Sequence, residues 1–385
     1  MVNRVQKLNK INSLLLFGAR GCGKSTLLRE LFQDPKTLWI DLLRAEDEDQ
    51  LRRDPDQLSY MIEHQKPKKV VIDEVQKLPK LLDVVHREIE KRPELQFILT
   101  GSSARKLKQK GANLLAGRAF EYFLFPLTTS ELGAAFDLME VLRFGSLPKL
   151  LSFKNDEDKI EYLRSYSRTY LQEEILQEQI IRQIEPFKDF LEVAAQSNAK
   201  ILSYSKISRD LGIDDKTVKN YFSVLAETYI GFFLPSFHRS IRKRQRESPK
   251  FYFFDLGVQR ALERNLGVAL NPQSYAFGEA FETWVVQECF RWNEYKKKDF
   301  RLSYLRTQSD VEVDLVIERP GQADLLIEIK SSSLLSKEDA KSISSIATAW
   351  DRPCEAQIWS QDPTLKTISE IKCKPWKTGL ESLFS

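Results

Sequence analysis

Short apolar runs alternate with helical patterning through the first third of the chain. Leu14–Phe17, Leu38–Ile40, Val70–Ile72 and Phe97–Leu99 are too short for helices and read as buried strands. Between them, Ser25–Gln33 and Lys80–Glu90 carry helical patterns. Strands alternating with helices predict a parallel sheet with helices on both faces. The segment Gly145–Leu150 (GSLPKL) punctuates the chain, and residues 156–184 then read as almost continuously helical.

Two short helices follow, Lys206–Leu211 and Asp215–Glu227, separated by Gly212-Ile213-Asp214, with Asp214 the natural N-cap of the second. Val218, Phe222 and Leu225 share one face of that helix, while Lys216, Lys219, Asn220 and Ser223 point outward. Phe251–Phe254 reads as a strand, so the order is that of a winged helix. After Pro272 the character changes again. Phe277–Trp292 is a long amphipathic helix, and Val311–Ile317 and Leu325–Lys330 are strands joined through a Pro320-Gly321 turn.

At 385 residues the chain is long enough for two or three domains. Its four cysteines lie far apart with no CxxC, and it has three histidines, which argues against a disulfide framework, a structural zinc site or His-based metal catalysis. No stretch approaches the ~18–20 apolar residues that span a bilayer, so a cytoplasmic protein with no membrane partner is expected. The net charge of +4 matters less than its distribution. Arg239, Arg242, Lys243, Arg244, Arg246 and Lys250 crowd one stretch and Lys296–Lys298 another, either as solvated surface or as polyanion contacts.

Gly18-Ala19-Arg20-Gly21-Cys22-Gly23-Lys24-Ser25 fits GxxxxGK[ST] between a strand and a helix that continues through Thr26. Such glycines let backbone amides converge on phosphate oxygens at a helix N-terminus. The pattern predicts ATP held by Gly18, Gly21, Cys22, Gly23, Lys24, Ser25 and Thr26, with Lys24 on the β- and γ-phosphates and Ser25 on Mg2+. Val70–Glu74 (VVIDE) supplies the rest: Asp73 for the magnesium or its water, and Glu74 to polarise an attacking water. Adjacent carboxylates ending an apolar strand need a compensating cation. Thr100, ending the next strand, is a candidate to sense the γ-phosphate or orient the water, the alternative being a simple strand-end turn.

With these residues in view, the first ~130 positions resemble the AAA+ superfamily of ATPases. The whole chain is similar to a bacterial and archaeal family of ATP-binding proteins whose C-terminal region has no assigned role. The resemblance rests on DEVQKLP, LTGSS, LLAGRAFEYFLFPLTTSEL, FGSLPKL and KFYFFDLG. It implies an arginine acting on the transferring phosphate, often from a neighbouring subunit. Arg118 is the candidate, as a finger, a same-subunit sensor or a salt-bridge residue, with Arg105 a weaker rival. It further implies a homo-oligomer, with a ring as one form.

Near the C-terminus, Glu328 and Lys330 lie two apart on a strand and share a face. A reversal at Pro320-Gly321 brings Asp314 roughly opposite Glu328. The set resembles the PD-(D/E)xK nucleases, a group that includes archaeal Holliday-junction resolvases. That resemblance makes Asp314 and Glu328 metal ligands, Lys330 the water-positioning residue and Glu282 an accessory glutamate. The fold can retain phosphodiesterase capacity or serve binding alone.

The expected architecture is α/β: an AAA+-like P-loop NTPase parallel sheet over 1–135, a helical lid over 136–190, a winged-helix-like domain over 191–262 and an α/β PD-(D/E)xK-like domain over 271–385. The expected function is ATP hydrolysis coupled to action on branched or damaged DNA. The alternative is a nucleotide-dependent switch or protein-binding ATPase without nuclease activity.

Overall fold

The computed structural model describes residues 2–103, 115, 117–170, 184–238, 247–307 and 309–385. Arg105 and the basic residues Arg239, Arg242, Lys243, Arg244 and Arg246 lie outside the described residues, as does part of the helical reading over 156–184.

The N-terminal region is built from β1 (Leu14–Phe17), α1 (Lys24–Leu31), β2 (Thr37–Asp41), α2 (Ala45–Arg53), α3 (Gln57–Gln65), β3 (Lys69–Asp73), α4 (Leu81–Lys91), β4 (Gln96–Gly101) and β5 (Phe120–Phe123). All five strands are parallel, in the order β2-β3-β4-β1-β5. Burial on both faces explains the apolar runs of β1, β3 and β4, whereas β2 alternates buried and half-buried residues and the edge strand β5 exposes Phe120 and Glu121. Because β4 lies between β1 and β3, its C-terminal end separates the glycine loop from Asp73, and Thr100 sits there.

Next come α5 (Thr129–Leu132), α6 (Leu138–Phe144), α7 (Asp156–Ser165), α8 (Ile184–Gln196), α9 (Tyr204–Leu211) and α10 (Asp215–Glu227). Asp214 caps α10 by accepting from the Thr217 amide at 2.9 Å, and Val218, Phe222 and Leu225 are buried. An antiparallel hairpin, β6 (Gly231–Leu234) with β7 (Lys250–Phe253), and α11 (Leu256–Leu262) complete this region. Its core extends to Ala19 and Cys22, so the glycine loop packs against this region.

The last region is α12 (Tyr275–Lys296), β8 (Arg301–Arg306), β9 (Glu312–Glu318), β10 (Asp324–Lys330), α13 (Lys337–Thr348), β11 (Cys354–Ser360), β12 (Lys366–Ile368), β13 (Ile371–Pro375) and α14 (Trp376–Phe384). Its mixed sheet runs β12-β13-β11-β10-β9-β8, with β8-β9-β10 antiparallel and β10 parallel to β11 across α13. Among the described residues no helix is long and apolar enough to cross a membrane.

Candidate functional site

The glycine loop leaves β1 at the C-terminal edge of the sheet and ends in α1. Gly18 has no room for a side chain, since a Cβ there would lie 2.1 Å from the Leu124 carbonyl oxygen. Gly23 caps α1 with φ 90°, a left-handed backbone that disfavours any side chain. Lys24 is buried, and its Nζ donates to the carbonyls of Gly18 at 2.8 Å and Ala19 at 3.2 Å. Thr26 is exposed on the first turn of α1, whereas the Cys22 side chain is buried in the neighbouring core. Burial pushes the Cys22 thiol up to about 12, so only its backbone is available to a phosphate.

Asp73 ends β3 nearly fully buried. Burial raises its carboxyl above the ordinary carboxylate value, and hydrogen bonds from Ser25 and Thr100 oppose that rise. A desolvated carboxylate beside a serine hydroxyl is a donor set that suits magnesium, and Ser25 and Asp73 are the residues that would hold it. Thr100 Oγ1 donates to Asp73 Oδ1 and accepts the Glu74 amide at 2.9 Å. Thr100 therefore fixes both acidic residues, one through its side chain and one through its backbone.

Glu74 adopts a left-handed backbone with φ 60°, which turns its carboxylate away from the strand direction. Gln76 Nε2 holds Glu74 Oε2 and also donates to Ser102 Oγ at 2.8 Å. Sequence reasoning missed both partners, although they lie within DEVQKLP and LTGSS. If Glu74 acts as the general base, Gln76→Leu is expected to lower turnover about tenfold while leaving nucleotide affinity within about twofold, because it frees the Glu74 carboxylate without touching the phosphate loop. Steady-state ATPase and fluorescent-nucleotide titration measure the two; equal losses in both would make Gln76 a fold residue.

Groups distant in sequence tie the loop from behind. Arg4 donates to Cys22 O at 3.2 Å and to Phe125 O at 2.5 Å, and Tyr166 donates its hydroxyl to Arg20 O at 2.8 Å. Arg4 also reaches Tyr295 OH at 3.3 Å and pairs with Glu131 at 3.1 Å. No local signal marks Arg4.

Arg118 lies just before β5, whose Phe120 is in register with Leu14. That is the edge of the sheet opposite the glycine loop, and Arg118 Nη2 pairs there with Glu90 at 2.7 Å. The pair with Glu90 is a contact that Arg118 makes within its own chain.

The C-terminal residues converge. The β9–β10 register, Ile327 opposite Leu315, continues to place Glu328 opposite Asp314. Asp314 Oδ2 accepts the Ile329 amide at 2.7 Å, and Lys330 Nζ donates to Glu328 Oε1 at 2.8 Å. Burial raises the Asp314 carboxyl well above its ordinary value, and Glu282 and Glu328 raise it further. Glu328 is also raised by burial, with Lys330 opposing, and its Oε2 is buried without a hydrogen-bond partner among the described residues.

Lys250 corrects the sequence reading. It is not part of a solvated basic run but is buried, with Nζ 2.5 Å from Glu312 and 3.4 Å from Glu282. Tyr252, on the same face of β7, donates its hydroxyl to Glu282 at 3.2 Å. Glu282 thus lies within the cluster. Among the described residues no three His, Cys, Asp or Glu side chains form a metal-binding group by themselves. Two carboxylates, one with an orphaned oxygen, still match the way magnesium is usually bound, through one or two carboxylates and waters.

The parallel sheet, the glycine loop and the paired acids at the β3 end define a P-loop nucleotide-binding protein. More particularly, residues 10–133 match the family model described as "AAA domain", and this part of the chain has an AAA-type ATPase fold. Residues 135–269 and 277–369 match models described as domains of unknown function, DUF8612 and DUF4143. The uncharacterized protein Rv2008c of Mycobacterium tuberculosis is 27% identical over 320 residues, covering 82% of this chain and 69% of that protein. The uncharacterized protein MJ1637 of Methanocaldococcus jannaschii is 24% identical over 431 residues, covering 98% and 86%. Among solved structures, the replication initiator DnaA bound to AMPPCP and single-stranded DNA is 15% identical, covering 56% of this chain and 82% of that one, with a TM-score of 0.29.

Proposed function

We propose that the chain hydrolyses ATP and uses it to act on branched or damaged DNA, which its C-terminal regions grip or cut. The observation that carries the hydrolytic half is the Thr100 bridge, which holds Asp73 and Glu74 in fixed relation beside the Lys24 loop. On ATP binding, Lys24 exchanges its two carbonyl partners for phosphate oxygens and the loop amides cradle the triphosphate. Ser25 and Asp73 would hold a magnesium ion, which would supply charge neutralisation at the phosphates. Glu74, oriented by Gln76, accepts the proton of the attacking water. Arg118 is a trans finger in this reading, since it faces away from its own loop and is partly exposed, as subunit contact in a homo-oligomer requires.

The DNA half rests on Asp314, Glu328 and Lys330 converging on one sheet with Glu282 beside them, the set a PD-(D/E)xK-like site uses. The α9–turn–α10–hairpin order supports a winged helix, and the sequence between β6 and β7 is rich in basic residues. One observation favours the alternative of a nucleotide-dependent switch without nuclease activity. Lys250 already compensates part of the carboxylate charge, as a purely structural cluster would.

ATPase assays with junction, flap, single-stranded and linear DNA separate the readings. The DNA machine is expected to show turnover stimulated severalfold by at least one DNA, and manganese-dependent nicking that Asp314→Asn removes. DNA-indifferent turnover with no nicking would leave the switch.

A further inference from the structure

Lys250 and Tyr252 bring the β6–β7 hairpin into a site otherwise made by α12, β9 and β10. The hairpin is fixed, because Phe251 and Phe253 are fully buried on its other face. A lysine so placed is no mobile surface cation. Its Nζ meets Glu312 at 2.5 Å and Glu282 at 3.4 Å, above the Tyr304 ring at 5.5 Å. Burying an ammonium costs several kcal/mol unless charges and hydrogen bonds compensate it. Burial does oppose its charge, yet Tyr252, Glu282, Asp314 and Glu312 outweigh that and hold it protonated above the ordinary lysine range.

Four carboxyl groups, those of Glu282, Glu312, Asp314 and Glu328, gather around two amines, those of Lys250 and Lys330. The two ends of the cluster differ. Glu282 and Glu312 are satisfied by Lys250, whereas Glu328 Oε2 is buried, nine-tenths with its residue, and has no hydrogen-bond partner among the described residues.

We propose that Lys250 is a built-in cation filling the place of a second metal ion, so that the carboxylate site takes a single divalent cation at Asp314 and Glu328. This rests on reading Asp314 and Glu328 as metal ligands. Lys250 is then a positioning residue that holds Glu282 and Glu312 off the metal. The site is composite, and residues 271–385 alone lack its internal cation.

The test is Mn2+ binding to the nucleotide-free full-length chain in an Asp73→Asn background, so that the ATP site contributes no ion. The parent is expected to bind one Mn2+ per chain and to lose it on Asp314→Asn. Lys250→Gln is expected to bind a second ion, or to bind its one ion about tenfold tighter, since a competing cation is gone. A structural lysine predicts the opposite sign, because a damaged site binds metal more weakly. Unchanged or weaker binding by Lys250→Gln overturns the proposal. Should that variant be unstable in EDTA, Mn2+ is expected to raise its melting temperature more than the parent's. An equal rise, or a chain still unfolded in millimolar Mn2+, overturns the proposal as well. A parent that binds no ion while Lys250→Gln binds one keeps the lysine's role and removes the resident metal. No binding by either removes both.

Discussion

Lys24→Ala is expected to weaken ATP binding at least about a hundredfold and to leave no measurable turnover, because a charge-assisted phosphate contact is lost from a site that cannot replace it. Glu74→Gln is expected to bind ATP within about twofold of the parent while turning over roughly a thousand times more slowly, since on the proposed roles only the proton acceptor is removed. The contrast follows from the geometry. Lys24 lies in the loop itself, against Gly18 and Ala19 carbonyls, whereas Glu74 is held on the far side of Thr100 by Gln76. Nucleotide titration and single-turnover hydrolysis read the two effects separately. Equal loss of affinity in both variants would refute the assignment.

The second large effect lies away from the phosphates. Gly257 opens α11 against the end of α6, where a Cβ would lie 1.9 Å from the Phe144 carbonyl oxygen. The obstacle is backbone, so no side-chain rotation relieves it. Facing it, the buried Asp255 carboxylate accepts the Ser146 amide at 2.7 Å and the Val258 amide at 3.1 Å. The segments FGSL and FFDLG are two halves of one interlock. Gly257→Ala is expected to cost about 3 kcal/mol through overpacking and to lower the melting temperature by roughly 4 °C. Turnover should fall with it, because Leu147 and Pro148, just past the interlock, rest against Gly21 and Gly23 of the loop. Gly267→Ala, where a Cβ meets nothing within 4 Å, is the control expected to melt with the parent. Coincident melting of all three chains would remove the interlock from the account.

The parts of this fold that were legible in sequence are those whose signal is local. Leu14–Phe17 coincides with β1, and the other three apolar runs lie inside β2, β3 and β4, because a strand buried on both faces must be apolar throughout. Asp314 opposite Glu328 followed from a two-residue period and one turn. Lys250 was misread because its neighbours in sequence are basic, while the carboxylates that bury it come from α12 and β9. The period of KFYF carried the correcting signal, since Lys250 shares a strand face with Tyr252. Arg4 had no such signal; its partners Cys22, Phe125, Glu131 and Tyr295 meet only in the folded chain. Arg118 showed its type but not its edge of the sheet, which depends on parallel registry with β1.

Helix α12 carries Glu282 near one end and Tyr295 near the other, with Glu288 and Arg291 between them. Tyr295 meets the arginine that holds Cys22, Glu288 accepts the Thr129 amide at 3.0 Å, and Arg291 donates to Phe254 O at 2.8 Å. At 1.5 Å per residue, the two ends are roughly 20 Å apart on one rigid element. Inserting a single residue between Glu288 and Glu282 would turn the N-terminal end by about 100° relative to the other, carrying Glu282 away from Lys250 and Tyr252. Seven residues, about two turns, would restore the angle but displace the end by roughly 10 Å. The nucleotide loop and the carboxylate cluster are therefore keyed to one shaft, in both phase and distance, and α12 cannot change length without unseating one of them.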